Sequence, residues 1–286
     1  MSKKSGQDFE PPKEAEKQVK NAWLFDVDGV ITDPQEKKVL EEGLFEQIIS
    51  RLEAGEPVAF NTGRDLGFVQ EKVIDELLKR TDKKKLQNLF AVAEKGALWA
   101  AFGPDGREKE SIDESISVPE EVKNRVRDLV KQKFSDCMFY DETKRTMISI
   151  EMNHNGDLEE FSVKREELLE DLKDIFQELG LDGRCIIDST IISTDIQSVG
   201  VGKNLGATRF LEWLESRGIT AEKFFCFGDS KSDLAMAEEI HRQGEDVEFV
   251  FIGDRKCVVG SRVGFEVICP EDRHGKGTLS FLKNNK

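Results

Sequence analysis

Short apolar runs recur along the chain, and apolar residues at helical spacing fill the stretches between them. Ala22-Trp23-Leu24-Phe25, Pro57-Val58-Ala59-Phe60 and Leu89–Val92 read as buried strands. Leu40, Leu44, Phe45, Ile48, Ile49 and Leu52 fall on one face of a helix between the first two runs. Val69, Val73, Leu77 and Leu78 do the same between the second and third. Strand-helix alternation of this kind predicts a parallel sheet covered by helices.

The middle of the chain breaks the rhythm. Ser117-Val118-Pro119-Glu120 has the form of a capping box with proline in the first turn. It predicts a helix through Val122, Val126, Leu129, Val130 and Phe134. A strand pair is expected next, at Met138–Asp141 and Met147–Met152, the second alternating Ile148, Ile150 and Met152. A charged helix carrying Phe161, Leu168, Leu169, Leu172, Ile175, Phe176 and Leu179 should stop at Gly180. Strands at Cys185–Ile187 and Thr190–Ile196 close a small α+β unit with an antiparallel sheet. The parallel rhythm then resumes. A helix after Lys203 carries Leu205, Phe210, Leu211 and Leu214 and ends at Gly218, strands follow at Phe224–Cys226 and Val247–Ile252, and a last helix comes after Thr278.

The expected fold class is therefore α/β, with a core split in sequence. Residues 1–20 are polar and without periodicity and read as a disordered tail. Residues 21–111 and 198–286 form the core, and 112–197 the inserted α+β unit.

At 286 residues and 38% hydrophobic content, the chain has enough apolar material for one large domain or two moderate ones. A net charge of −15 argues against nucleic-acid partners and anionic membranes, which require basic surface. No apolar run reaches the ~20 residues of a membrane span, and no signal-peptide stretch opens the sequence. The cysteines (Cys137, Cys185, Cys226, Cys257, Cys269) are odd in number, scattered and without Cys-x-x-Cys spacing. Reduced thiols in a cytoplasmic protein, with no zinc site, are the expectation.

Polar groups of a reactive kind stand just beyond four of the apolar runs. Asp26-Val27-Asp28-Gly29 follows the first, Asn61-Thr62-Gly63-Arg64 the second. Lys203 opens a helix after Gly200-Val201-Gly202, and Phe227-Gly228-Asp229-Ser230-Lys231-Ser232-Asp233 follows Phe224–Cys226. In an open parallel sheet the carboxyl edge of the strands is where ligands bind. Two acids one residue apart at a strand end are costly to bury unpaired. They suit phosphoryl transfer, in which one carboxylate attacks phosphorus, the other moves a proton and a divalent cation shares the charge.

The ordered set Asp-x-Asp-Gly, Thr, Lys, Gly-Asp-x-x-x-Asp resembles the haloacid dehalogenase superfamily of phosphohydrolases, from about residue 21 onward. The Thr-Gly-Arg form of the second motif is similar to the Cof-like branch, which includes sugar-phosphate phosphatases. The resemblance implies a Rossmann-like core with a cap inserted after the second motif. Thr62 and Lys203 stand 141 residues apart, room for such a cap. Glu94-Lys95-Gly96-Ala97 resembles the Glu-Asn-Gly-Ala that precedes caps of this type.

By this resemblance Asp26 is the nucleophile and Asp28 the general acid and base. Gly29 lets the backbone approach the phosphate. Thr62 and Gly63 bind a phosphoryl oxygen, and Lys203 neutralises the phosphoryl group and Asp26. Asp26, the Asp28 carbonyl and Asp229 are hard oxygen donors suited to Mg²⁺. Asp233 binds the metal through water or orients Lys203. Arg64 and Ser230 stand within the motifs. Ser232 takes the place of a usual Asn, closer to the trehalose-phosphate phosphatase version, and Asn204 takes the place of a usual Gly. Lys95 replaces an Asn and is either an extra cation at the cleft or a surface lysine. Lys144 and Glu151, with Arg145, Asn153 and His154, lie on or near the cap hairpin and are candidates for substrate contact. His241 reads as helix surface, His274 as a loop residue, and Trp99 and Trp213 as packing.

The expected activity is Mg²⁺-dependent hydrolysis of a small phosphorylated metabolite, a sugar phosphate first, through an aspartyl-phosphate. A phosphosugar mutase of the same fold and a catalytically silent sugar-phosphate binder are the alternatives. The sequence carries no sign of the oligomeric state.

Overall fold

The computed structural model describes residues 17–108, 110–181, 183–258 and 262–285. In chain order the elements are β1 (Lys17–Phe25), α1 (Leu44–Glu53), β2 (Val58–Asn61), α2 (Leu66–Val69), α3 (Asp75–Leu78), β3 (Leu89–Ala93), β4 (Leu98–Gly103), β5 (Gly106–Arg107) and β6 (Ser111–Ile112). There follow α4 (Glu120–Leu129), β7 (Met138–Tyr140), β8 (Ile148–Met152), α5 (Leu158–Leu179), β9 (Cys185–Ser189) and β10 (Ser193–Ser198). The chain ends with α6 (Lys203–Ser216), β11 (Ile219–Gly228), α7 (Leu234–Arg242), β12 (Val247–Phe251), β13 (Glu266–Ile268) and α8 (His274–Asn284).

The larger sheet runs β13-β12-β11-β1-β2-β3-β4-β5, with β6 also paired to β4. From β13 to β3 every pair is parallel, and β4, β5 and β6 add antiparallel pairs. Strand residues alternate between its two faces. Trp23, Phe25, Phe60 and Phe227 pack with α1 and α8 on one face. Ala22, Leu24, Phe90 and Cys226 pack with α6 and α7 on the other. Burial on both faces is why these strands read as unbroken apolar runs.

A second sheet, β7-β8-β10-β9, is antiparallel throughout. Its core joins Val122, Val126 and Phe134 to Ile148, Ile150, Leu168 and Leu172. The α/β class and the α+β insertion are as the pattern predicted.

Several boundaries differ, each for a local reason. β1 begins at Lys17, inside the span read as tail, because Lys17–Val19 pair with Ile219–Ala221; residues 1–16 lie outside the described residues. Leu40 precedes α1 and is half exposed, since Gly43 in the left-handed region starts the helix. The helix after β2 is split by a π turn at Gln70–Ile74. The Ser117 capping box does not form. Pro119 is the N-cap without a side-chain bond, and the Ser117 hydroxyl donates to the Asp113 carbonyl. Thr190–Ile192 form a turn rather than strand, held by the Thr190 hydroxyl, which leaves Ile191 exposed. Ile112 pairs within the larger sheet and Ser198 within the smaller. Helix α8 begins at His274, four residues before Thr278.

Cys137, Cys185 and Cys226 are buried, Cys257 is exposed and Cys269 half-buried; all five are free thiols. Among the described residues no helix is long and apolar enough to cross a membrane.

Candidate active site

The carboxyl ends of β1, β2 and β11 meet at one point. The Asp26 amide donates to the Phe227 carbonyl, extending the β1–β11 pairing one residue past the strand. Its carboxylate then stands where the sheet ends, with Oδ1 also accepting from the Val27 amide at 2.6 Å.

Lys203 comes in from the first turn of α6. Its ammonium lies 2.5 Å from Asp26 Oδ1 and 3.0 Å from Asp233 Oδ1, and donates to the Asn61 carbonyl at 2.7 Å. Asn61 Nδ2 returns a bond to the Lys203 carbonyl at 2.8 Å, so the strand end and helix start hold each other. Asp233 Oδ2 accepts from the Ser230 amide and hydroxyl at 3.0 and 2.7 Å, a capping arrangement that fixes the loop after β11. The Ser232 hydroxyl is 2.8 Å from that of Ser230, on the exposed side of this turn.

Asp26, Asp229 and Asp233 each offer a carboxylate oxygen, all within 4.8 Å of one another. Like charges this close raise each other's cost of ionisation. Burial pushes Asp26 well above the usual carboxylate range; Asp233 and Asp229 add to it and Lys203 opposes it. Asp229 is pushed up to about 6 by burial and then by Asp233, against His274 and Lys203. Burial works to lower Lys203, but Asp26 and Asp233 outweigh it and its pKa rises. One ammonium cannot balance three carboxylates. Asp233 Oδ1, buried, has the Lys203 ion pair but, among the described residues, no directed hydrogen bond. The donor set is hard oxygen with unbalanced charge, which fits a divalent cation such as Mg²⁺.

Gly29 makes this crowding possible. Its φ is +74°, and a Cβ there would lie 2.0 Å from Asp229 Oδ2. Only glycine fits both requirements.

Asp28 has a different environment. Lys37 Nζ lies 2.8 Å from Oδ1, and Arg64 Nε 3.0 Å from Oδ2. Burial raises its pKa, but Arg64 and Lys37 outweigh that and hold it below the usual range. Thr62 is buried, and its hydroxyl accepts from the Arg64 amide at 3.1 Å. The Gly63 carbonyl accepts from Lys144 of the smaller unit at 2.9 Å. Glu151, half-buried on β8, is raised by burial and opposed by Arg64.

No protein-family model and no curated relative matches the sequence. Solved structures do. The C-terminal domain of a C. albicans trehalose-6-phosphate phosphatase aligns with a TM-score of 0.64 and 14% identity over 93% of this chain and 92% of that one. An Aspergillus fumigatus trehalose-6-phosphate phosphatase aligns at 0.56 with 15% identity over 93% of both. A Thermoplasma acidophilum protein aligns at 0.58 with 16% identity over 93% and 98%. The chain has the haloacid dehalogenase fold.

Within that fold Asp26, Asp28, Gly29, Thr62, Gly63, Arg64, Lys203, Asp229 and Asp233 gather at one edge. Lys95 is no surface lysine. It is 18% exposed and bonds Asp188, Asp195 and Gln197 of the smaller sheet. Arg145 pairs with Glu110, Asn153 bonds the Ser135 and Asp136 carbonyls, and His154 tilts against Phe139.

Four residues of the site were not assigned a role in it from the sequence. Asn61 adjoins Thr62 in the second motif, which was the available signal. Lys37, at φ +51°, reaches Asp28 from a loop with no apolar pattern. His274, read as a loop residue, has its Nδ1 3.1 Å from the Gly29 carbonyl and 3.8 Å from Asp229. Glu94, fully buried, accepts from the Arg145 and Thr146 amides.

Proposed function

We propose that this chain is a Mg²⁺-dependent phosphomonoesterase acting on a small phosphorylated metabolite, a sugar phosphate first, through an aspartyl-phosphate. The observation that carries the reading is the Asp26–Lys203–Asp233 arrangement beside Asp229 at the sheet edge. The fold shared with phosphatases named for trehalose-6-phosphate supports the substrate class.

Asp26 attacks phosphorus, and its P–O bond forms as the ester P–O bond breaks. Lys203 works against the burial that raises Asp26, favouring its ionised form beside an anionic substrate. The Thr62 hydroxyl and the Gly63 amide receive a phosphoryl oxygen. Asp26, the Asp28 carbonyl and Asp229 would hold Mg²⁺, with Asp233 behind them. When bound, the cation offsets charge on the phosphoryl oxygens. Asp28 gives a proton to the leaving oxygen and later takes one from the water that cleaves the acyl phosphate. With Arg64 and Lys37 on it, Asp28 is held in the base form in the free protein; when the leaving group displaces one of them, Asp28 takes up a proton from solvent and then passes it to the leaving oxygen.

The unit bearing the second sheet is a cap, residues 112–197 to within a residue at either end, and the rest from Lys17 is the core. Lys144 and Glu151 face the core from the cap and are its substrate contacts. The partner is a small phosphorylated molecule, the compartment cytoplasmic.

Phosphate release from a panel of phosphosugars, with and without Mg²⁺, tests this in wild type and Asp26→Asn. Mg²⁺-dependent release that Asp26→Asn abolishes is expected. A folded wild type that binds Mg²⁺ yet releases no phosphate from any member overturns it.

A further inference from the structure

Glu94 and Lys95 are consecutive non-glycine residues in the left-handed region, at φ +46° and +56°. Such conformations are strained for residues with a Cβ and persist only when surroundings over-determine them. The surroundings here are the loops of the candidate site. The Glu94 amide donates to the Arg64 carbonyl at 2.9 Å, and the Lys95 amide to the Thr62 carbonyl at 3.0 Å. The Gly202 amide donates to the Lys95 carbonyl at 2.9 Å, one residue before Lys203. The backbone of this turn therefore ties the phosphate-binding loop to the start of α6.

The two side chains cross to the cap in different directions. The Glu94 carboxylate, fully buried, accepts from the Arg145 amide at 2.9 Å, the Thr146 amide at 2.7 Å and the Thr146 hydroxyl at 2.5 Å. These bonds grip the chain just after Lys144, whose ammonium reaches the Gly63 carbonyl. Lys95 Nζ lies 2.8 Å from Gln197 Oε1, 3.2 Å from Asp188 and 3.3 Å from Asp195, on β9 and β10. Asp195 also accepts from Ser149 of β8 at 2.7 Å, which carries the grip across the sheet.

We propose that Glu94 and Lys95 are positioning residues that act as a two-pronged clamp. One prong fixes the loop that carries Lys144 and the other fixes the β9–β10 ribbon, both against the loop bearing Thr62 and Gly63. Bonds to charged groups are the stronger kind, and the Glu94 set is shielded from water. The clamp holds the cap in register with the phosphate site, so it governs how the leaving group is gripped rather than the chemistry at Asp26. The consequence for catalysis rests on the phosphatase reading; the clamp itself does not.

The test uses the full chain as wild type, Glu94→Gln, Lys95→Met and Lys95→Arg. Amide hydrogen exchange is followed in residues 141–146 and 185–198, with melting temperature as the check on folding. Steady-state kinetics are measured on the best phosphosugar and on p-nitrophenyl phosphate, whose flat aryl group needs little from a cap. Lys95→Met should speed exchange in β9 and β10 about tenfold, a local opening. Its KM for the phosphosugar should rise about tenfold with kcat on p-nitrophenyl phosphate held within about twofold. Lys95→Arg should restore most of both. Glu94→Gln should loosen 141–146 in the same way; if it does not fold, Lys95→Met decides. Exchange unchanged in Lys95→Met overturns the clamp. A wild type that hydrolyses no phosphomonoester sinks the phosphatase reading, and the exchange rates still decide the clamp.

Discussion

The Lys203 ammonium sits between two buried carboxylates, 2.5 Å from Asp26 and 3.0 Å from Asp233. Removing one partner from a buried ion pair leaves uncompensated charge, at a cost of about 3–5 kcal/mol. Lys203→Met should lower stability by roughly that much near neutral pH without Mg²⁺, by urea denaturation, and abolish turnover. An unchanged denaturation midpoint would show that the pair contributes nothing net. Gly29→Ala combines a strained φ with a Cβ 2.0 Å from Asp229. It should destabilise by about 1–3 kcal/mol and weaken Mg²⁺ binding in calorimetry. Tyr140 is the chain's single tyrosine, buried, with its hydroxyl unpartnered among the described residues and the Arg127 guanidinium 4.7 Å from its ring centre. Burial pushes its phenol up to about 12. A raised folded-state pKa means the stability it contributes is intact below the unfolded value of ~10 and lost as pH rises through about 12. Ultraviolet absorbance against pH reads this residue alone, and a midpoint near 10 in the folded protein would contradict it. Asp26, Thr62 and Asp229 stood out in sequence because each follows a strand, and Lys203 because it opens a helix after a glycine-rich turn. Lys37 and His274 were not, because a loop's path to Asp28 or Gly29 leaves no periodicity.

Elements whose boundaries are set by burial matched their pattern. Helix α5 shows Leu168, Leu172, Ile175 and Phe176 at helical spacing and stops at Gly180, φ +61°. Elements whose boundaries are set by local hydrogen bonds did not match. Ser117 offers a capping box in sequence, yet its hydroxyl is taken by the Asp113 carbonyl. Ile191 and Ile192 read as strand, yet the Thr190 hydroxyl turns the chain there. Leu172 is fully buried and Ile191 is 72% exposed. Leu172→Ala should therefore cost about 2–5 kcal/mol, and Ile191→Ser should stay within about 0.5 kcal/mol of wild type. Equal losses in thermal melts would mean the turn is packed after all.

Over the whole molecule, the carboxylates just beyond β1 and β11 are brought together by a sheet in which these neighbouring strands are some 200 residues apart in sequence. Metal binding should feed back on that assembly. At 100-fold over its dissociation constant Mg²⁺ would add about 2.7 kcal/mol, seen as a higher melting temperature that a chelator reverses; Asp229→Asn should remove the increase. The sequence by itself determined the α/β class with its inserted α+β unit and marked the residues of the four motifs as candidates, because hydrophobic period and strand-end chemistry are local properties. Tertiary structure alone decided that Lys95 faces the smaller sheet, that Glu94 is buried at the junction, and that Arg64 and Lys37 close on Asp28. The reason is physical. A side chain's partners across a domain junction depend on how two sheets meet, and residues far apart in the chain carry no shared periodicity to reveal it.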